Sequence, residues 1–486
     1  MLLDYLSSPQ TALSILFVIE FIIALTVIFI ERKSPAATLA WVMVVFLVPI
    51  GGIIFYLMLS QNIARQKLYR LTQRERDMLE THLSEQVDAV KRDHFLYITP
   101  EEGKWKDLIL LNQNYAHAYL SQENRVEIFT DGNHLFESLL KDIASAKESI
   151  NIQYFIVKND ITGRKLIRAL TEKAKEGIEV RFLIDALGSR SQNKTKLKDF
   201  IDAGGKLAFF FPPKFKYLNL KLNYRNHRKI VVIDGKLGYL GGYNIGNEYV
   251  DKSKKFGHWR DTHLRMTGES VSDINTRFFL DWRLASKENI SLELAYTKAQ
   301  QTDGNTAVQI VSSGPDTAKE EVKHTYLRMI NQANRNVYIQ SPYFVPDRSI
   351  FESLQNAALA GVDVRIMIPN KPDHIFVYWA SYYYCGLLLS AGVKVFIYDH
   401  GFLHAKTLIV DGEVCSVGSA NFDNRSFRLN FETNAILYDE VEAFKLEKIF
   451  EQDIADSIEL TDEIYAERSL LVKLKENIAR LLSDLL

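Results

Sequence analysis

At 486 residues, with 47% hydrophobic and 24% charged residues, the chain is long enough for two or three domains that each bury a core. A formal charge of -1 argues against a dedicated nucleic-acid binder, and two cysteines, Cys385 and Cys415, exclude a disulfide framework and leave no partner set for a zinc site. A reducing compartment fits best.

Residues 11 to 30 and 37 to 59 are almost wholly apolar, and at about 1.5 Å rise per residue each matches a hydrocarbon core of roughly 30 Å. Nothing basic precedes the first stretch, no small-x-small cleavage site follows it, and Arg32 and Lys33 come directly after, so an uncleaved anchor is expected rather than a signal peptide. Six residues, Glu31 to Ala36, join the two stretches into a hairpin over residues 1–60. Glu20, a carboxylate in mid-span, is expected to be protonated or to face the second helix. Arg65, Lys67, Arg70, Arg74 and Arg76 outweigh Arg32 and Lys33, which places the remaining domains in the cytoplasm.

Residues 61–120 read as a polar helical linker. From Val126 and again from Val308 the chain then runs twice through one pattern: VEIFTDG, helix, SINIQYFIV, helix, IEVRFLID and AGGKLAFF, against VQIVSSG, helix, NVYIQSPYFV, helix, VDVRIMIP and AGVKVFIY. Apolar runs alternating with helical stretches predict α/β architecture with strands buried on both faces, as two pseudo-symmetric domains over 121–295 and 296–440. A helical tail is expected over 441–486.

Each repeat ends in the same cluster, NHRKIVVIDGKLGYLGGYN from Asn226 and LHAKTLIVDGEVCSVGSAN from Leu403, both containing His-x-Lys-x4-Asp. Side chains two apart on a strand share a face, so His227 pairs with Lys229 and His404 with Lys406. Together the pairs supply a nucleophile, an acid for the leaving alkoxide and two ammonium groups for phosphate oxygens. Strand parity puts Asp234 and Asp411 on the opposite face, each in an Asp-Gly pair that reads as a hairpin turn. Asp261 and Glu432, which lie 34 and 28 residues beyond the motif histidines, are the candidates for orienting them. No cofactor or metal is expected, since no H-E-x-x-H or carboxylate cluster with calcium or magnesium spacing occurs, and His258 and His263 read as structural or substrate-near.

The paired HxKxxxxD with trailing GGxN and GSxN resembles the phospholipase D superfamily over roughly residues 126–440. That resemblance implies two α/β sandwich domains sharing one active site, with His227, Lys229, Asp234, His404, Lys406 and Asp411 as the motif residues and a covalent phosphohistidine between two steps. RKSPAATLAWVMVVFLVP, GGYNIGNEY, HWRDTHLRMTG and GSANFDNRSFRLNFETN resemble its cardiolipin synthase branch in particular. The branch implies a membrane enzyme that takes two phosphatidylglycerol molecules to cardiolipin and glycerol, with precedent favouring His227 as nucleophile and an exchange of roles left open. Gly242 departs from the pattern's Ser, which Ser419 keeps. Ser419, Asn244 and Asn421 are phosphate-binding candidates, with loop stabilisation the equal alternative for the asparagines.

Three further stretches bear on the substrate. Lys214, Lys216, Lys221, Arg225, Arg228 and Lys229 interleave with Phe215 and Tyr217, which suits an anionic lipid surface and resembles a nucleic-acid groove. The run HIFVYWASYYYCGLLL from His374 reads as a core helix or a rim to the site, and SLLVKLKENIARLLSDLL as a docking or interfacial helix. A hydrolase, a membrane-tethered nuclease or a non-catalytic scaffold are the rival readings; membrane phospholipids, and no nucleic acid, are the expected partners.

Overall fold

The structure, a computed structural model, describes residues 9–29, 35–48, 50–59, 68–213, 223–296, 302–317, 319–481 and 483. It divides into two compact units, Met1–Gln66 with Phe211–Tyr224, and Lys67–Phe210 with Arg225–Leu486.

The first unit carries helices Pro9–Phe29, Pro35–Leu47 and Gly51–Leu59. Val27, Val45 and Tyr56 are buried among them, as is Glu20, while Leu13, Phe17 and Ile22 point outward. Among the described residues no helix is long and apolar enough to cross a membrane. The expected second span, 37–59, is not one helix: it breaks between Leu47 and Gly51, with Ile50 at φ 62°. The cause is local, because Pro49 disfavours helical backbone in the residue before it and Gly51-Gly52 follow. Arg32, Lys33, Arg65 and Lys67, which set the expected orientation, lie outside the described residues, as do residues 214–222 of the basic and aromatic stretch.

The second unit is built on a mixed sheet of sixteen strands. Its centre is an antiparallel pair, Leu120–Phe129 against Thr306–Ser313, the opening strands of the two repeats. Outward from Leu120–Phe129 run His263–Gly268, Leu237–Gly241, Ile230–Ile233, Ser149–Tyr154, Glu179–Asp185 and Lys206–Phe210. Outward from Thr306–Ser313 run the counterparts Asn430–Tyr438, Val414–Gly418, Thr407–Val410, Asn336–Gln340, Asp363–Pro369 and Lys394–Tyr398, in the same order. Every residue of Ile230–Ile233, Thr407–Val410 and Val414–Gly418 is buried, as strands covered on both faces must be.

The stretch expected as a polar linker contributes to this core. Thr72 and Glu75 form a capping box that starts the helix Gln73–Lys91, and Glu75 also accepts from the Leu292 N–H at 3.1 Å and pairs with Arg283. Trp105, Leu108 and Ile109, at the helix Lys106–Ala116, are fully buried beside Val322 and Met329. The tail, expected to be helical, also supplies a strand. Ser457–Leu460 adds antiparallel to Lys394–Tyr398 and covers what would be an open edge.

Candidate active site

Each motif histidine follows a two-residue strand that pairs with the other repeat. Arg225–Asn226 runs parallel to Asn430–Phe431, and Phe402–Leu403 parallel to Trp259–Arg260. The His227 N–H donates to the Phe431 carbonyl at 3.0 Å, and the His404 N–H to the Arg260 carbonyl at 2.7 Å. The next residue on each partner strand is a carboxylate, Glu432 or Asp261. The carboxylates are therefore exchanged between repeats.

Glu432 Oε2 lies 3.0 Å from His227 Nδ1, with the Ser419 carbonyl also at 3.0 Å; Asp261 Oδ2 lies 2.6 Å from His404 Nδ1. Carboxylate and carbonyl oxygens only accept, so Nδ1 of His227 carries the proton and its Nε2 keeps a free lone pair. The Lys229 ammonium donates to the His227 carbonyl at 2.6 Å. Lys406 donates to the His404 carbonyl, and its Nζ stands 2.7 Å from His404 Nδ1 and 3.7 Å from Asp261 Oδ2. His227 and His404 are 8% and 7% exposed, so a sliver of each ring reaches the surface while the two carboxylates are wholly buried. Phe155 packs edge-on to His227 at 4.9 Å, and Trp259 lies 5.1 Å from the His404 ring.

Burial lowers both histidines. Glu432 opposes this at His227, whereas at His404 the Lys406 ammonium adds to burial and brings the ring to about 4 against the pull of Asp261. Burial also pushes the lysines down, Lys229 to about 7 against Glu432 and Lys406 to about 8 against Asp261. Burial would raise the two carboxyls, but Lys406 and His404 hold Asp261 below its ordinary value, and His227 and Lys229 do the same for Glu432. Lys406 acts on His227 and Lys229 on His404, so the two pairs share one electrostatic field.

Asp234 and Asp411 do something else. Each has positive φ, 55°, with a positive-φ glycine after it, the backbone a tight hairpin turn requires. Asp234 accepts from the N–H groups of Lys147, Glu148 and Ser149 at 2.9, 2.7 and 2.9 Å, and Asp411 from those of Asn334, Arg335 and Asn336 at 2.9, 2.7 and 3.0 Å. These bonds tie the motif hairpin to the start of the neighbouring strand, apart from the histidines. Replacing Asp411 with alanine is expected to cost about 1–3 kcal/mol of stability while leaving turnover per folded molecule within a few-fold. Thermal unfolding and an assay on the folded fraction measure both.

The Gly242 departure has a steric cause. A Cβ there would fall 2.0 Å from Asp261 Oδ1, so a serine could be fitted only by displacing the carboxylate from His404. In the other half the longer Glu432 leaves room, and the Ser419 hydroxyl donates to Glu432 Oε2 while accepting the Thr433 N–H at 3.0 Å. Ser419 thus touches the carboxylate on His227. Asn244 accepts the Ile156 N–H at 3.1 Å, a loop-holding contact. Asn421 differs: its side-chain oxygen is buried with no hydrogen-bond partner among the described residues.

Two buried ion pairs were not read from the sequence. Arg228, between His227 and Lys229, faces the other way by strand parity and pairs with Asp281 at 2.8 Å, while donating to the Glu432 and Ser313 carbonyls at 3.0 and 2.9 Å. The second pair crosses the repeats: Arg260, next to Asp261, pairs with Asp453 at 2.9 Å, while the place of Arg228 in the second motif is taken by Ala405. Gln153 donates to Asp281 and Gln340 to Asp453, from matching places in the two repeats. The signal available was, for Arg228, a charged residue between His227 and Lys229 and, for Arg260, one directly before Asp261.

His258 bonds Asp251 at 2.8 Å, and His263 is buried on the strand His263–Gly268 with burial pushing it to about 3. Among the described residues, Asp131, Asp251 and His258 are near enough to hold one ion, and neither motif histidine belongs to that group. The run from His374 forms the helix Ile375–Leu389, with Ala380, Ser381, Cys385 and Leu388 inward and Ile375 and Phe376 exposed.

Comparison with known proteins follows the same lines. A family profile described as cardiolipin synthase, PLD-like domain, matches residues 139–260 and 326–454, and one described as phospholipase D-nuclease N-terminal matches 21–61. The chain is 46% identical over 475 residues to a cardiolipin synthase of Listeria innocua, covering 98% of each, and 47% identical over 471 residues to one of Staphylococcus aureus, covering 97% of this chain and 95% of that one. Among solved structures it is similar to phosphatidylserine synthase of Haemophilus influenzae, with a TM-score of 0.60 at 16% identity, over 78% of this chain and 98% of the other. That likeness concerns the fold.

Proposed function

The chain belongs to the cardiolipin synthases, phosphatidyltransferases with two phospholipase D-like domains, and from that membership we propose how its paired histidines divide the reaction. The observation that carries the reading is the exchange of carboxylates, Glu432 on His227 and Asp261 on His404. In the first step His227 Nε2 attacks the phosphorus of one phosphatidylglycerol. The bond from phosphorus to the glycerol oxygen breaks, and His404 gives that oxygen a proton. In the second step His404 takes the proton from the terminal hydroxyl of another phosphatidylglycerol, that oxygen bonds to phosphorus, and the bond to Nε2 breaks. Cardiolipin leaves and both histidines return to their starting state.

What supports this division of roles is the balance of charges beside each ring. Glu432 opposes the effect of burial on His227 and stabilises the positive charge of a phosphorylated imidazole, as befits the nucleophile. Lys406, against His404 Nδ1, makes a protonated His404 a stronger acid, as protonating an alkoxide demands. Lys229 and Lys406 hold the phosphate oxygens as charge builds on them.

This arrangement sets a pH profile. The lysines titrate at about 7 and about 8 in the free enzyme, so kcat/KM should fall as pH rises through that range and the ammonium groups lose their protons. On the acid side the lowered His227 stays neutral below the usual imidazole value and keeps its lone pair, while the fraction of His404 carrying the proton it must give rises as pH falls toward about 4, so activity extends there. A profile flat to about pH 9 would contradict the lysine assignment; Lys229→Arg, which keeps its charge, should move the alkaline limb upward.

Membrane association fits the first unit, whose helices expose Leu13, Phe17 and Ile22 and whose residues 21–61 match the N-terminal profile. We place it as a lipid-embedded hairpin with the second unit on the cytoplasmic face. The reaction is tested with protein reconstituted in phosphatidylglycerol vesicles, where cardiolipin and glycerol should appear in equal amounts. Phosphatidic acid without cardiolipin would establish a hydrolase instead.

A further inference from the structure

The helix Leu470–Leu481 is docked with the wrong side inward for a soluble protein. At about 3.6 residues per turn, Leu470, Leu471, Leu474, Ile478 and Leu481 fall on one face. That face is the outer one: the five residues are 84%, 61%, 56%, 45% and 75% exposed. Inward go Glu476 and Ala479 instead. Glu476 is tied down by Arg468 at 2.9 Å, and Ala479 packs with Val345 and Ala380. Burying a carboxylate while exposing five aliphatic side chains is unfavourable in water, and it becomes favourable against an apolar phase.

What that phase is follows from the flanks. Lys473, Lys475 and Arg480 lie on the same helix; Lys475 Nζ stands 5.0 Å over the Trp379 ring and the Arg480 guanidinium 5.6 Å from Tyr383. An apolar face with cations and amphipathic aromatics beside it is the composition of a bilayer interface, with acyl chains below and anionic phosphates above. A protein groove has no need of the cations. The neighbouring helix Ile375–Leu389 connects this surface to the chemistry. It begins just after Asp373, which accepts from the Tyr343 hydroxyl and whose charge acts on Lys406. Val345, under Ala479, pairs through its short strand with Phe422–Asp423, immediately after Asn421.

We propose that the helix Leu470–Leu481 lies in the surface of a membrane carrying anionic lipid, its leucine face at the acyl boundary and its lysines and arginine at the phosphates, as a second membrane contact that sets the active site at the level of the lipid headgroups. The contact rests on the reading of a membrane lipid as substrate, because only a substrate held in the bilayer requires the site at that height. The N-terminal helices hold the protein on the membrane in any case, so the test reads depth rather than binding.

Cys385 and Cys415 are buried, so a thiol introduced on the surface takes a maleimide fluorophore selectively. Full-length Leu474→Cys and Ile478→Cys proteins, with Glu451→Cys on the exposed side of the helix Glu440–Ala455 as reference, are labelled and reconstituted in vesicles of phosphatidylglycerol and phosphatidylcholine. The probes at 474 and 478 should emit to the blue and be quenched several-fold more than that at 451 by lipid spin-labelled on its acyl chain. Quenching equal to the 451 reference would overturn the proposal. A blue-shifted probe that lipid does not quench would overturn it too, in favour of a protein partner or a second copy of the chain. Cardiolipin formation by the unsubstituted protein is followed in the same vesicles, so failure of the lipid-substrate reading shows as absent product whatever the quenching.

Discussion

Replacement of His227 with alanine should lower cardiolipin formation by about ten-thousand-fold or more, since no other group stands ready to form the covalent intermediate. His404→Ala should be as damaging with phosphatidylglycerol, whose glycerol leaves only when protonated. The two variants should separate on a phosphatidyl ester of nitrophenol, a leaving group that needs no proton. With that substrate His404→Ala should still release a burst of nitrophenol equal to the enzyme present, because attack by His227 does not need the acid. His227→Ala should release none. Equal bursts from both variants would mean that either histidine can attack. Loss of both bursts would make His404 essential to the first step for a reason other than acid catalysis. Circular dichroism and thermal unfolding establish that both variants are folded.

The second large effect is on stability. Arg228 and Asp281 are buried together, with Arg277 and Tyr69 also bonding Asp281 at 2.9 and 2.7 Å. Arg228→Met takes from the buried Asp281 one of its two guanidinium partners and leaves Arg277 alone to compensate it, so the second unit should be destabilised by up to about 3–5 kcal/mol, visible as a large fall in Tm. Because Arg228 also donates to the Glu432 carbonyl, surviving folded protein should show a lowered kcat as His227 loses its alignment. The pair also has a pH signature. Burial would raise the Asp281 carboxyl, but Arg228 and Arg277 hold it well below the usual range. Its contribution is therefore complete above the unfolded carboxylate value of about 3.9 and is lost as pH falls below that toward the folded value. Asp281→Asn should unfold with a shallower dependence on acid than the parent; an identical dependence would assign the acid sensitivity elsewhere.

The repeat was legible because both copies carry the same apolar runs at the same spacing, and the sheet arranges them in mirrored order about the pair Leu120–Phe129 and Thr306–Ser313. The position of Asp234 and Asp411 was legible for a local reason. Strand parity and an Asp-Gly turn are properties of a few adjacent residues; that both aspartates also cap backbone N–H groups at the start of the neighbouring strand was not legible locally. That Asp261 and Glu432 hold matching places in the two repeats could be read, but not which histidine each would meet. That exchange depends on the pairing of Arg225–Asn226 with Asn430–Phe431 and of Phe402–Leu403 with Trp259–Arg260, contacts about two hundred and about one hundred and forty positions apart. The pair Arg228 with Asp281 was hidden for the same reason. In the first unit the break before Gly51 was announced by Pro49 and two glycines, yet hydropathy alone runs straight through them. Periodicity in the last helix located its apolar face but not its direction, because a helix bound to protein and one bound to lipid share the same spacing.

The proposed reaction turns on His227 as the residue that carries the phosphatidyl group. Rapid quench of the enzyme in alkaline denaturant during turnover of phosphatidylglycerol labelled in its phosphate, followed by peptide mapping at alkaline pH where phosphohistidine survives, locates the label. Phosphorus on the peptide containing His227, bound through Nε2 because Nδ1 is committed to Glu432 and the Ser419 carbonyl, is the expected result. Phosphorus on the peptide containing His404 would contradict the assignment.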